Sequence, residues 1–191
     1  MDLAENKTAA TVPGEGADWS SAPLHSLMDH IVGIHHEYLK LELPRLADKA
    51  GRLVKSRIEK YGDSSLVPLL DTFLELKSEL ESHMWKEEVV LFPLIRNMEA
   101  AATAGVKAPP AHCGSVNNPI RVMEHEHASA ERALEEMRRI TSNYAVPEGA
   151  CETHRMLFEA LRVLEEDLCR HIRLENDILH PRASELEMLV S

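Results

Sequence analysis

The segments HMWKEEVVLFP (residues 83–93) and HIRLENDILHP (residues 171–181) decide the fold of this chain, because they repeat one pattern at an offset of 88 residues. Both read His-x3-Glu-x3-Leu-x-Pro. Residues four apart lie on the same face of an α-helix, so each segment places its histidine and its glutamate one turn apart. The repeat predicts two related pairs of helices.

Apolar residues recur at spacings of three and four around both motifs, which predicts four long helices and no strand. The predicted bounds are Pro23 to Gly62 with a kink or break at Pro44, Ser65 to Met98 with a bend at Pro93, Asn118 to Tyr144, and Gly149 to Ile178 before Pro181. The longest loop is expected over residues 100–118. Long amphipathic helices joined by turns predict an all-α fold, an up-down-up-down four-helix bundle over residues 19–191. Residues 1–18 are expected to form a disordered leader.

Composition limits the class of protein. No apolar run approaches the ~18–20 residues of a membrane helix, and the first residues carry no secretory signal. The three cysteines, Cys113, Cys151 and Cys169, form no CxxC pair, which favours a reducing, cytoplasmic setting. The formal charge of −11 disfavours nucleic acid or an anionic membrane as a partner.

The regularly spaced apolar residues of each helix form a stripe that faces the core, and each stripe carries one histidine. The stripes of the second and fourth helices also carry a glutamate one turn later and are expected to continue at Val90 and Ile178. These six candidate ligands are His35, His83, Glu87, His127, His171 and Glu175. A single histidine on an apolar stripe is usually a hydrogen-bonded core residue. A buried carboxylate, however, costs several kcal/mol unless it is paired or bound to metal. No lysine or arginine lies on these stripes beside Glu87 or Glu175, so metal ions would supply the missing positive charge.

The six side chains are expected at similar depths in the bundle, within ~9 Å at 1.5 Å per residue. Imidazole and carboxylate without thiolate suit iron, manganese or zinc. Four histidines and two glutamates suit two metals. Each metal would take two histidines and share both bridging glutamates and an oxygen bridge. This set leaves one position on the metal for a small diatomic ligand. Ferritin-like sites need two Glu-x-x-His motifs, and only Glu124–His127 provides one at a candidate ligand.

The remaining histidines are expected outside this set. His36 and His125 lie off the predicted stripes, and their side chains are expected to be exposed to solvent or to lie beside the ligands. Surface or helix-end positions are expected for His25, His30 and His180, and packing for His154. His112 and Cys113 lie in the long loop, where a lid or a labile ligand is an alternative. Glu79 and Glu126 are either surface carboxylates or part of a polar channel to the metals.

The motifs resemble hemerythrin-type (HHE) cation-binding domains. More narrowly, DWSSAPL (18–24), HIVGIHHEYLKLELP (30–44), HMWKEEVVLFP, VMEHEH (122–127) and HIRLENDILHP resemble the RIC family of di-iron proteins for the repair of iron centres. This resemblance implies two non-haem irons with an oxo or hydroxo bridge and bridging Glu87 and Glu175. By analogy with hemerythrins, one iron takes His35 and His83, and the other takes His127 and His171. RIC proteins typically carry an N-terminal domain with paired cysteines, which this sequence is expected to lack.

Three functions compete at this stage. The resemblance favours repair of iron–sulfur centres damaged by nitrosative or oxidative stress, with the protein as iron donor and the damaged iron–sulfur proteins as partners. The second is a carrier or sensor that binds O2 or NO. The third is an enzyme that reduces NO or peroxide at the di-iron site.

Overall fold

The structure is a computed structural model that describes residues 18–110 and 112–191. The leader predicted for residues 1–18 lies outside these residues, apart from Asp18. Within the described ranges the regular elements are all helices. The predicted all-α four-helix bundle is therefore confirmed.

Four long helices make up the bundle, and three of them contain one short π-helical turn. Their bounds in chain order are α1, formed by Leu24–His30, the π turn Ile31–His36 and Glu37–Tyr61; α2, formed by Val67–Lys86, the π turn Glu87–Leu91 and Phe92–Ala104; α3, Asn117–Ile140; and α4, formed by Glu152–Arg173, the π turn Leu174–Leu179 and His180–Val190. Helix α1 packs on α2 and α4, and α2 packs on α3.

Prolines explain two of the π turns. Pro93 and Pro181 are each the second residue of the α-helical segment that follows a π turn. A proline has no N–H to donate, and its ring clashes with the carbonyl group four residues earlier in a regular α-helix. A wider turn before the proline relieves this clash, so the Leu-x-Pro end of each motif favours a π turn instead of a break.

Each π turn shifts the buried face of its helix by one residue, because it holds one residue more than an α-helical turn. In α1 two residues are buried one turn after Ile31: His35, four residues later, and His36, five residues later. In α2 the predicted stripe residue Val90 is exposed, and Leu91 is buried in its place. In α4 the stripe continues at Leu179 rather than at the predicted Ile178.

Of the two alternatives predicted at Pro44, a kink or a break, the break is wrong, because α1 is continuous from residue 37 to Tyr61. Pro44 and Lys40 are both exposed. This surface position lets water reach the backbone there and satisfy the carbonyl that loses its helical partner. The long loop is also shorter than expected, since α2 extends to Ala104 and ends in a left-handed glycine at Gly105.

The core consists of two apolar clusters separated by a polar layer. One cluster is built around Leu39, Phe73, Leu134 and Leu164, and the other around Met28, Ile95, Met123 and Leu179. Between them every helix contributes buried histidine or carboxylate side chains. Across the described residues no helix is long and apolar enough to cross a membrane.

Candidate metal centre

Two groups of four buried side chains lie in the polar layer and share both glutamates. The first consists of His36, Glu87, His171 and Glu175, and the second of His83, Glu87, His127 and Glu175. Within each group, one potential ligand atom of every residue lies within 4.8 Å of those of the other three. Five of the six side chains proposed from the sequence are therefore brought together.

The sixth predicted ligand, His35, is not in either group, and its neighbour His36 takes that place. His36 Nε2 lies 3.2 Å from Glu87 Oε2 and 3.3 Å from His171 Nε2. His35 is also buried, but its Nδ1 lies 3.0 Å from Asp167 Oδ1, and its ring stacks on His171 at a centroid distance of 5.3 Å. The π turn that ends at His36 causes this difference, because an unbroken α-helix would put residue 35 on the stripe.

The histidines also pair differently from the hemerythrin analogy. His36 shares a group with His171, and His83 shares a group with His127. The expected pairing had joined the first two helices at one metal and the last two at the other. In the structure each group instead takes one histidine from a helix of the first pair and one from a helix of the second pair.

The ring nitrogens of the second group face each other in a way that calls for a cation. His83 Nε2 lies 3.1 Å from His127 Nε2. His83 Nδ1 lies 3.0 Å from Glu126 Oε2, and His127 Nδ1 lies 2.9 Å from Asn176 Oδ1. Both Nδ1 atoms therefore donate, so in the neutral rings both Nε2 atoms carry lone pairs. Two nitrogens bound at about 2.1 Å to one ion, at roughly a right angle, would lie about 3.0 Å apart.

Oxygen acceptors orient three of the four histidines. His36 Nδ1 lies 2.8 Å from Glu88 Oε1, and the Nδ1 atoms of His83 and His127 lie at similar distances from Glu126 and Asn176. Such contacts fix the tautomer of a histidine that binds metal through Nε2. The fourth histidine, His171, differs, because its buried Nδ1 has no hydrogen-bond partner among the described residues.

The two glutamates are completely buried. Their carboxylates suit two shared metal ions better than direct contact with each other. Both oxygens of Glu87 lack a hydrogen-bond partner among the described residues. Burial and the neighbouring Glu175 carboxylate raise the pKa of Glu87 well above its usual value. Burial also opposes the charge of Glu175, but His171 and His127 outweigh it and hold the Glu175 pKa well below its usual value. Two shared carboxylates with four imidazoles match a dinuclear site for first-row metals.

Burial keeps two of the candidate ligands neutral. It lowers the pKa of His36 to about 4, with His171 adding to the shift, and it lowers the pKa of His83 to about 4. Burial acts in the same direction on His127, but the hydrogen bond to Glu175 outweighs it and raises the pKa. Neutral imidazoles present the lone pair that a metal needs.

Two further histidines differ from their predicted surface or solvated positions. His36, assigned to solvent or the surroundings of the ligands, is fully buried in the first group. His180, expected at the surface, is buried and stacks on His127. His154 is buried far from the site, as expected for packing, and His125 is exposed. Both differences follow from the one-residue shift at a π turn, which Pro181 signals for His180 and which no proline signals for His36.

A polar pocket of about 330 Å³ opens beside the second group. Its lining includes Glu79, Lys86, His125, Glu126 and Ser129. Glu126 links this pocket to the site, because it contacts both His83 Nδ1 and the ammonium group of Lys86. The predicted lid residues His112 and Cys113 instead line a separate, largely apolar pocket of about 430 Å³ against α2.

Comparison with known proteins agrees with the geometry. Residues 27–183 match the model of the hemerythrin HHE cation-binding domain. The chain is 38% identical over 174 residues to the iron-sulfur cluster repair protein YtfE of Edwardsiella ictaluri. The aligned region covers 91% of this chain and 72% of that protein. It is 35% identical over 184 residues to the YtfE protein of Pectobacterium atrosepticum, covering 94% and 75%. The YtfE protein of Escherichia coli O81 is 37% identical over 169 residues, covering 87% and 69%.

Proposed function

Since this chain belongs to the hemerythrin HHE family and to its iron-sulfur cluster repair branch, we propose that it is a non-haem di-iron protein that donates iron for the repair of damaged iron–sulfur centres. Its ligands would be His36 and His171 at one iron, His83 and His127 at the other, and Glu87 and Glu175 as bridges. An oxo or hydroxo bridge would complete the pair. The observation that carries the proposal is the layer of two His/Glu groups with shared, fully buried glutamates.

Iron is the metal in this proposal because of the donor set and the relatives. Imidazole and carboxylate without thiolate suit iron, manganese and zinc alike. The relatives' name, iron-sulfur cluster repair protein, selects iron among these three. When bound, the metal pair would supply redox chemistry and open positions for NO or O2. The protein's own groups hold the imidazoles in the tautomer that presents Nε2.

Donation, rather than permanent storage, follows from the small number of protein ligands. Each group offers two histidines and two shared glutamates, so each metal depends on only four protein side chains. Fe(II) binds to such sites less tightly than the later divalent metals do. The polar pocket beside Glu126 also brings solvent close to the second group. Fe(II) also carries one positive charge less than Fe(III), so the two carboxylates attract it less strongly, and reduced iron should leave more easily than oxidised iron.

The test is a repair assay with matched variants. Protein loaded with iron and reduced without oxygen is mixed with an iron–sulfur enzyme that NO has inactivated. We expect recovery of the enzyme's activity and faster loss of iron to a chelator from the reduced than from the oxidised protein. The double variant Glu87→Gln with Glu175→Gln should restore nothing, whereas His125→Ala should restore as wild type does.

Other outcomes would select the other functions. A stable O2 adduct, reversible over many cycles with iron retained in both redox states, would refute donation in favour of a carrier or sensor. Catalytic consumption of NO or peroxide with no transfer of iron would refute it in favour of a reductase.

A further inference from the structure

The repeat of 88 residues extends from the sequence motif to the surroundings of the two metal positions. Glu88 of α2 and Asn176 of α4 are equivalent in the repeat, and each accepts a hydrogen bond from the Nδ1 of a candidate ligand, His36 or His127. Equivalent positions therefore serve equivalent ligands in the two halves.

Phe92 and His180 are also equivalent in the repeat, but their chemistry differs. The Phe92 ring stacks on His36 with centroids 5.9 Å apart and an interplanar angle of 14°. The His180 ring stacks on His127 at the same 5.9 Å and at 8°. An apolar ring is therefore sufficient for packing at this position, and the imidazole of His180 adds two polar atoms that packing does not need.

Those two polar atoms have no partner within the described part of the chain. His180 is 1% exposed, and neither Nδ1 nor Nε2 has a hydrogen-bond partner there. Glu124 Oε1 lies 4.0 Å from Nδ1, which is beyond hydrogen-bond distance. An imidazole carries at least one N–H in every protonation state found in proteins, and a buried N–H without a partner is costly. The position next to the site thus presents an unused donor.

We propose that His180 donates a hydrogen bond to a small anionic or diatomic ligand held at the His83–His127 metal position. The inference rests on the proposed function, because it requires metal in the two groups. Phe92 offers no such donor at the His36–His171 position. The two metal positions therefore differ in ligand affinity, and the ligand binds preferentially at the position beside His180.

The test uses azide as the probe and the substitution that the repeat suggests. His180→Phe installs the residue of the equivalent position and should leave the iron content unchanged. Azide binding to the oxidised, iron-loaded protein is followed by optical titration. Loss of one hydrogen bond should weaken azide binding roughly tenfold. His180→Gln, which keeps a side-chain N–H, should recover part of that affinity.

His154→Phe is the matched control. His154 is also 1% exposed, and its Nε2 also has no partner among the described residues, but it lies at the far end of α4. Its azide affinity should stay within about twofold of wild type. Melting of the metal-free proteins adds a readout that needs no iron, and His180→Phe should melt at or above the wild-type temperature because an unpartnered polar group is gone.

Three results would overturn the inference. The first is azide binding by His180→Phe within twofold of wild type at full iron content. The second is an equal loss of azide affinity in His154→Phe. The third applies if His180→Phe does not fold. In that case His180→Leu is tested instead, and wild-type azide affinity of the folded His180→Leu protein would overturn the inference. A wild-type protein that takes up no iron would refute the proposed function instead, and the inference with it.

Discussion

Substitution of two adjacent histidines separates the metal site from its surroundings. His36→Ala removes a member of the first group and leaves only His171, Glu87 and Glu175 there, while the second group keeps all four residues. We expect the iron content to fall from about two to about one per chain. His35→Ala removes no member of either group and should keep both irons.

His35→Ala should keep its iron but lower the stability of the metal-free protein. His35 Nδ1 is the hydrogen-bond partner of the buried Asp167, whose Oδ2 already has no partner in the described part of the chain. Loss of His35 leaves that carboxylate almost unpaired, which costs about 1–3 kcal/mol. For a chain of this length a cost of ~2 kcal/mol lowers the melting temperature by roughly 4–8 °C.

The assay is metal analysis of protein loaded with iron without oxygen, together with thermal unfolding of the metal-free variants. Full iron content in His36→Ala combined with iron loss in His35→Ala would refute the one-residue shift and restore the ligand predicted from an unbroken helix. Equal iron loss in both variants would show that the two histidines act together, which also contradicts the assignment.

Three further predictions concern the carboxylates. Glu87→Gln or Glu175→Gln keeps the side-chain volume but removes a negative charge shared by both metals. Each variant should therefore lose more iron than His125→Ala does. A near-normal iron content in both glutamine variants would exclude bridging. Glu126→Ala removes the acceptor that orients His83 and should weaken metal binding about 10–100-fold in chelator competition; an unchanged affinity would show that Glu126 serves only its ion pair. Metal binding displaces the protons held by Glu87 and by His127, whose pKa values are raised, so metal affinity should fall as the pH drops from 7.5 to 6; a pH-independent affinity would contradict this.

The fold and most of the site could be predicted because they depend on spacing within regular helices. His83 and His171 lie in the α-helical segments just before the π turns that begin at Glu87 and Leu174. Each glutamate still lies beside the histidine four residues earlier, as the four-residue rule predicts. The resemblance to the hemerythrin family, now supported by the match over residues 27–183, added the fold and the metal class.

The differences between the predicted and the observed buried faces come from the π turns. A period of 3.6 residues assigns His35 to the core stripe, while the wider turn over Ile31–His36 carries the stripe on to His36. The same one-residue shift hides His180, because the turn before it moves the buried face beyond Ile178. Pro93 and Pro181 signal two of these turns, but α1 has no proline at that place, so its sequence gives no comparable warning.

The site assignment as a whole remains a prediction about metal content, and one measurement tests it most directly. Protein produced in iron-replete cells and purified without oxygen should contain about two iron atoms per chain. On oxidation it should show the charge-transfer absorption of an oxo-bridged iron pair. One metal per chain, or zinc alone, would contradict the account.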